Sequence, residues 1–168
     1  MKCPACGFDN IEGVDRCEDC MEPFRNLDVP QPKEGFQAHL MLDPVHKLFS
    51  AYPAAVGPDD SVAQAVDIMR RWRAGCVMVI KEERVTGILT EIDLLMKLGA
   101  TDRDLTQIKV SELMTPNPET VEEDSMIASA LHLMSVGGYR HVPVVRDGNL
   151  VGVVSIKDVL RYLKEHLL

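Results

Sequence analysis

From Val62 onward the apolar residues Val62, Ala65, Val66 and Met69 recur at i, i+3, i+4 and i+7, the spacing that lays one face of an α-helix against a core. Asp59-Asp60-Ser61 stands directly before them and offers side-chain acceptors to the unpaired N–H groups of a first turn. Two short apolar runs follow, Cys76 to Ile80 and Val85 to Leu89, around the charged turn Lys81-Glu82-Glu83-Arg84, and predict a strand pair. A second helix is predicted from Thr90, with Ile92, Leu95 and Met96 turned inward. The same order then recurs. A helix is predicted near Met126 to Met134, strands at His141 to Val145 and Leu150 to Val154 around Asp147-Gly148-Asn149, and a last helix from Ser155.

The recurrence keeps a constant offset of 65 residues from Pro53/Pro118 to Leu98/Leu163, with no gap. Val56 matches Val121, Ala65 matches Ala130, Met69 matches Met134, Gly87 matches Gly152 and Asp93 matches Asp158. A register this strict predicts two copies of one supersecondary unit, at residues 50–107 and 108–168. Ahead of them, His39 to Phe49 is a short amphipathic stretch expected to pack Leu40, Leu42, Val45, Leu48 and Phe49 on the repeats. Asn26 to Gly35, with Pro30 and Pro32 and no hydrophobic period, reads as a linker, so residues 25–49 are taken as linker and packing helix.

Composition adds limits to this picture. The chain has 168 residues, 46% of them apolar, and a formal charge of −8, which suits a folded acidic protein and repels phosphate backbones. Apolar runs such as Cys76 to Ile80 fall far short of the ~20 residues that span a bilayer. Met1-Lys2-Cys3 leads straight into a cysteine motif with no apolar run behind it, so a cytoplasmic protein without a membrane partner is expected.

Cys3, Cys6, Cys17 and Cys20 form a C-x2-C-x10-C-x2-C pattern within residues 1–24. Thiolates at that spacing can turn onto one ion, and Gly7 permits the tight backbone of the first knuckle, whereas the second, Cys17-Glu18-Asp19-Cys20, has no glycine after it. Four thiolates with short spacings fit a closed, structural Zn2+ site with bonds of about 2.3 Å. Two disulfides, a redox CxxC pair and rubredoxin-like iron are the competing readings, the first disfavoured in a reducing compartment. This segment resembles a zinc ribbon. Lys2 and Arg16 are outnumbered there by acids, which argues against nucleic acid as its partner.

The repeats resemble the tandem CBS (cystathionine β-synthase) domain pair, or Bateman module. The marks are Leu113-Met114-Thr115-Pro116, the run Tyr139-Arg140-His141-Val142-Pro143-Val144-Val145, and the paired stretches Gly87-Ile88-Leu89-Thr90-Glu91-Ile92-Asp93 and Gly152-Val153-Val154-Ser155-Ile156-Lys157-Asp158. The resemblance implies an α/β (α+β) fold with pseudo-two-fold symmetry, a homodimer, and two clefts for adenosine-containing ligands. Each cleft joins the Thr/Ser-x-x-Asp of one copy to the opening segment and first strand of the other. Thr90 and Asp93 are thus expected to meet Thr115, Thr120, Tyr139, Arg140 and His141, a set equipped for a charged nucleotide. Ser155 and Asp158 are expected to meet Ala55, Val56, Gly75 and Cys76, a cleft expected to be weaker, empty or suited to a less charged ligand. A carboxylate suits a ribose diol because it offers acceptors only, and a helix start favours phosphate. The same Thr90-x-x-Asp93 and Ser155-x-x-Asp158 also read as plain capping boxes.

Other groups carry less. Arg70-Arg71-Trp72-Arg73 reads as a solvated helix end or dimer rim, with a phosphate or partner contact as the alternative. Cys76 reads as a small buried hydrophobe, and His39, Asp43 and His46 as part of the packing stretch before they read as metal ligands. No motif brings a nucleophile, base and orienting group together. The expectation is a non-enzymatic regulator that binds AMP, ADP, ATP or S-adenosylmethionine and signals through a zinc ribbon to a protein partner. The alternatives are a ligand-free dimeric scaffold docking through the ribbon and, third, a ribbon that binds nucleic acid.

Overall fold

A computed structural model describes the chain apart from residues 1, 4, 12–13, 24–34, 50–52, 100–102 and 168. Two compact units result, Met1–Lys33 and Glu34–Leu168. The predicted linker, except Gly35, lies outside the described residues.

In the larger unit the first copy runs β1 (Ala55–Val56), α2 (Val62–Trp72), β2 (Cys76–Lys81), β3 (Arg84–Thr90) and α3 (Glu91–Leu98), after a leading α1 (Phe36–Leu42) and a 3-10 turn (Val45–Leu48). The second copy opens with α4 (Val110–Leu113) and β4 (Thr115–Pro116) and continues β5 (Val121–Glu122), α5 (Ile127–Gly137), β6 (His141–Arg146), β7 (Asn149–Ser155) and α6 (Ile156–Leu167). One sheet has the order β1-β2-β3-β4 and the other β5-β6-β7, with β1 parallel to β2, β5 parallel to β6, and antiparallel hairpins at β2/β3 and β6/β7.

The 65-residue offset governs backbone detail. The β2/β3 ladder shifts register at Val79/Ile80 and the β6/β7 ladder at Val144/Val145, the same place in each copy. Both hairpin turns take left-handed φ at two residues, Glu82 and Glu83 in the first and Asp147 and Gly148 in the second. The matching also reaches below Pro53. Val62 donates its N–H to Ile108 O and Val110 to Asp60 O, while Ile127 donates to Asp43 O and Val45 to Ser125 O. Each copy's opening segment is therefore bonded to the other copy, and β4 joins the sheet of the first copy through Gly87↔Pro116 and Ile88↔Thr115.

Burial follows the predicted faces for α2, whose Val62, Ala65 and Met69 sit in a core with Val77, Val79 and Leu89. The second core gathers Ile127, Ala130, Met134, Val142, Val144 and Val154, and Val45 and Leu48 enter it from the leading segment with Leu40 and Phe49 packed against it. Two expectations fail. Leu42 is 69% exposed, because the helix that carries it turns its Leu40 inward instead. On α3 the inward residues are Leu94 and Leu98, while Leu95 and Met96 are 75% and 79% exposed and Ile92 is also on the surface. Eight residues give only two turns, and the capping box at Thr90 fixes their rotation with Leu94 and Leu98 toward the sheet.

In the smaller unit two tight turns repeat one pattern. Gly7 N–H donates to Cys3 O and Cys3 N–H to Phe8 O; Met21 N–H donates to Cys17 O and Cys17 N–H to Glu22 O. Gly7 has φ +77° and Met21, where the second knuckle has no glycine, adopts φ +61°.

Candidate functional site

The crossing of the opening segments makes two clefts. At the end of β3 the chain turns into α3, and Thr90 caps it: the Thr90 hydroxyl accepts from Asp93 N–H, and Asp93 Oδ2 accepts from Thr90 N–H at 3.0 Å and Thr90 Oγ1 at 2.6 Å. Asp93 Oδ1 accepts from Lys97 Nζ at 2.8 Å and, across the crossing, from Thr115 Oγ1 at 3.0 Å. Burial raises the Asp93 carboxyl pKa, but the hydrogen bonds from Lys97, Thr90 and Thr115 outweigh it and hold it below the ordinary carboxylate range. The capping box is thus real, and the same carboxylate faces a cavity of about 390 Å³.

That cavity brings Thr90, Asp93, Thr115, Tyr139, Arg140 and His141 together, as the sequence predicts. Thr120 is not in its wall; Pro118 and Glu119 are. The Tyr139 hydroxyl donates to Glu119, and desolvation, then that carboxylate, pushes its pKa up to about 12. Burial pushes the His141 pKa down against the pull of Asp158 and Glu91, so the ring is neutral at pH 7.

The second cavity, of about 360 Å³, lies at the equivalent place. Ser155 caps α6 with Asp158 in the same way: Asp158 Oδ2 accepts from Ser155 N–H at 2.9 Å and Ser155 Oγ at 2.5 Å, and Oδ1 accepts from Arg161 at 2.9 Å. Gly75 and Cys76 line it as expected, but Ala55 and Val56 do not. Val56 is buried in the first core and Ala55 points out from β1, leaving Pro53 and Ala54 in the wall, the offset partners of Pro118 and Glu119. In both clefts the opening segment thus contributes the residues just before the expected ones, Glu119 before Thr120 and Ala54 before Ala55. Cys76 is buried and its pKa is pushed up to about 12, chiefly by desolvation, so it is a neutral thiol.

Sequence reasoning missed Arg73, Lys157 and Arg161 in this second wall. The signal was present in the Arg70–Arg73 run, but only the left-handed backbone of Arg73 at the end of α2 carries the chain round so that this residue borders the cleft. Gly75, Glu91, Arg140 and His141 border both cavities.

In the smaller unit the sulfurs of Cys3, Cys6, Cys17 and Cys20 all lie within 4.8 Å of one another. Cys3 to Cys20 and Cys6 to Cys17 are 3.6 Å apart, too far for disulfides and close to the edge of a tetrahedron with bonds of about 2.3 Å. Burial raises the Cys17 pKa, but N–H groups of Cys20 and Asp19 and the Asn10 amide outweigh it and lower it. At Cys6 and Cys20 backbone hydrogen bonds are outweighed instead by burial and the neighbouring thiols, which push both up, so of these three Cys17 gives up its proton most readily. Asn10, unremarked in the sequence, is buried and binds three points of the site: Phe8 O, Cys17 Sγ and Glu18 N–H. These four cysteines are positioned to bind a metal ion.

The sequence pattern of the CBS domain family matches residues 41–100 and again 110–165. The chain belongs to the CBS domain family. The CBS domain-containing protein CBSCBSPB1 of Arabidopsis thaliana is 35% identical over 105 residues, 62% of this chain and 19% of that protein, so the chain spans about a fifth of that relative's length. The crystal structure of a CBS-domain containing protein from Agrobacterium tumefaciens matches 71% of this chain and 98% of its own at 32% identity and a TM-score of 0.65. A CBS domain protein from Pyrobaculum aerophilum complexed with AMP shares the fold at 23% identity and a TM-score of 0.64, over 73% of this chain and 97% of its own. The family match begins at residue 41, within the leading segment that is hydrogen-bonded to the second copy. Among the described residues no helix is long and apolar enough to cross a membrane.

Proposed function

We propose that this CBS pair is a non-enzymatic sensor of an adenosine-containing ligand, AMP, ADP, ATP or S-adenosylmethionine, and that the four-cysteine unit holds structural Zn2+ and reports to a protein partner. The observation that carries the reading is the Asp93 carboxylate, fixed by Thr90 and Thr115 from opposite copies and facing one cavity with Tyr139, Arg140 and His141. That wall offers acceptors for a diol, a ring for a base and a guanidinium for phosphate. Because Thr115 enters from the other copy, a ligand seated there bridges the two repeats and favours one arrangement of them.

The exposed Leu95 and Met96 of α3 and Leu160 of α6 supply an apolar surface for a homodimer. Four cysteines without disulfides suit a reducing, cytoplasmic setting. Nothing in the charge of the cysteine unit favours nucleic acid.

Thermal unfolding with each adenosine compound tests the reading. A ligand at about 100 times its Kd adds about 2.7 kcal/mol, roughly 5 to 10 °C for a unit of this size. The shift should vanish in Asp93→Ala and weaken in Thr90→Val, which removes the hydroxyl that holds the carboxylate in place. A flat response to every compound, with the metal bound, would leave a ligand-free scaffold as the function.

A further inference from the structure

The two cavities share Gly75, Glu91, Arg140 and His141, so any difference in what they hold must come from the residues they do not share. In each, the motif acid is already neutralised: Asp93 by Lys97 at 2.8 Å and Asp158 by Arg161 at 2.9 Å. What remains differs in sign. The Asp93 cleft adds a carboxylate, Glu119. The Asp158 cleft adds two cations, Arg73 and Lys157, and has Ala54 where the other has Glu119. Among the described residues, no carboxylate lies within ion-pair distance of Arg73, Lys157 or Arg140. Beyond the Asp158–Arg161 pair, three cations thus border this concave wall against one further acid, Glu91, in a protein of net charge −8. Cations left unpaired in a concave wall concentrate the field on an incoming anion, and each added phosphate charge gains from it. The same field in the Asp93 cleft is offset by Glu119, which disfavours extra phosphates.

We propose that the two clefts sort adenosine ligands by charge: the Asp158 cleft takes the polyphosphate, and the Asp93 cleft takes the ligand with one phosphate or none. This rests on the adenosine-sensing reading above and reverses the ranking expected from sequence, in which the Asp158 cleft was the weaker one. It also gives a role to the Arg70–Arg73 run, whose last residue enters the wall while Arg70 and Arg71 pair with Asp67.

Trp72 makes the test specific. It is the sole tryptophan, it is 62% exposed, and it borders the Asp158 cleft but not the other. Its emission therefore reports occupancy of that cleft. Titration with ATP and with AMP should change Trp72 emission at concentrations about tenfold or more lower for ATP, with the ATP response weakening more steeply as salt rises. Arg73→Gln combined with Lys157→Gln should abolish the ATP preference in Trp72 emission and leave the Asp93-dependent thermal shift with AMP unchanged, because neither residue lines the Asp93 cleft. Equal response to ATP and AMP, or an ATP preference that survives the double change, overturns the sorting. If AMP still gives an Asp93-dependent thermal shift in that case, the sensor reading stands and only the sorting falls. If no adenosine compound moves either the emission or the unfolding temperature, both fall together.

Discussion

Gly152 lies against the ring of Phe49 so closely that a β-carbon on it would stand 2.3 Å from Phe49 Cε2. The same relationship holds 65 residues earlier, where a β-carbon on Gly87 would stand 2.4 Å from Met114 Sδ. Phe49 and Met114 are themselves offset partners, each at the end of an opening segment that crosses to the other copy. The glycine of the repeated strand is therefore the seat of the crossing side chain, and the crossing is what brings Thr115 to Asp93.

Gly152→Ala should then destabilise by about 1 to 3 kcal/mol, since Phe49 packs on a filled core and has to move. Denaturant unfolding checks the loss. Phe49→Leu in the same chain should recover part of it, because the smaller side chain leaves room for the methyl group. An additive double variant would show that the two residues do not meet.

The first hairpin turn lacks the residues its backbone calls for. Glu82 and Glu83 both take positive φ, as do Asp147 and Gly148 in the second copy, and this two-residue turn favours Asn or Asp followed by Gly. Glu83→Gly should stabilise by roughly 0.5 to 1 kcal/mol, while Gly148→Ala should cost a similar amount. Paired unfolding curves of the two variants, moving in opposite directions, are the expected outcome.

Asp43 ties the leading segment to the second copy, accepting from Lys47, from the Tyr162 hydroxyl and from His39 at 2.8 Å. These hydrogen bonds, that of Lys47 first and that of Tyr162 next, hold its carboxyl well below the usual range against the effect of burial. A carboxyl depressed on folding takes up its proton more readily in the unfolded chain. Its stabilisation is therefore complete above the unfolded pKa of about 3.9 and is lost as pH falls toward the folded value. Asp43→Asn should lower stability at pH 7 and flatten the decline below about pH 4, with the other carboxyls depressed in the same direction, Asp93, Asp59, Asp104 and Glu123, contributing to the decline that remains. An acid limb identical to that of the original chain would remove Asp43 from the account.

The 65-residue repeat, the order of its helices and strands, and the four-cysteine cluster were all legible, because each is written in spacing. The rotation of α3 was not: Ile92, Leu95 and Met96 are as apolar as Leu94 and Leu98, and only the Thr90 cap chooses between the two faces. The cleft walls were legible where a motif residue forms them, as with Asp93 and Arg140. They were missed where backbone conformation decides, as with the left-handed Arg73 and the one-residue displacement that replaces Thr120 with Glu119. The charge of each wall depends on such residues, which spacing along the chain does not show.

Metal binding should be separable from the CBS pair, since residues 1–33 and 34–168 form distinct compact units. A closed four-thiolate site supplies most of the folding energy of so short a segment. One Zn2+ per chain is expected, and a strong chelator should unfold this segment, seen as loss of amide protection near Cys3 and Cys17, while the unfolding temperature of the pair stays unchanged. Met21 refines the test. It occupies in the second knuckle the left-handed conformation that Gly7 occupies in the first, at a cost a glycine would avoid. Met21→Gly should tighten the metal by roughly 0.5 to 1 kcal/mol, or about two- to fivefold in a competition with the chelator. Asn10→Ala should loosen it, because the buried amide that binds Cys17 Sγ and Glu18 N–H is removed. If both variants held Zn2+ as the original chain does, the knuckle geometry would not be what sets affinity.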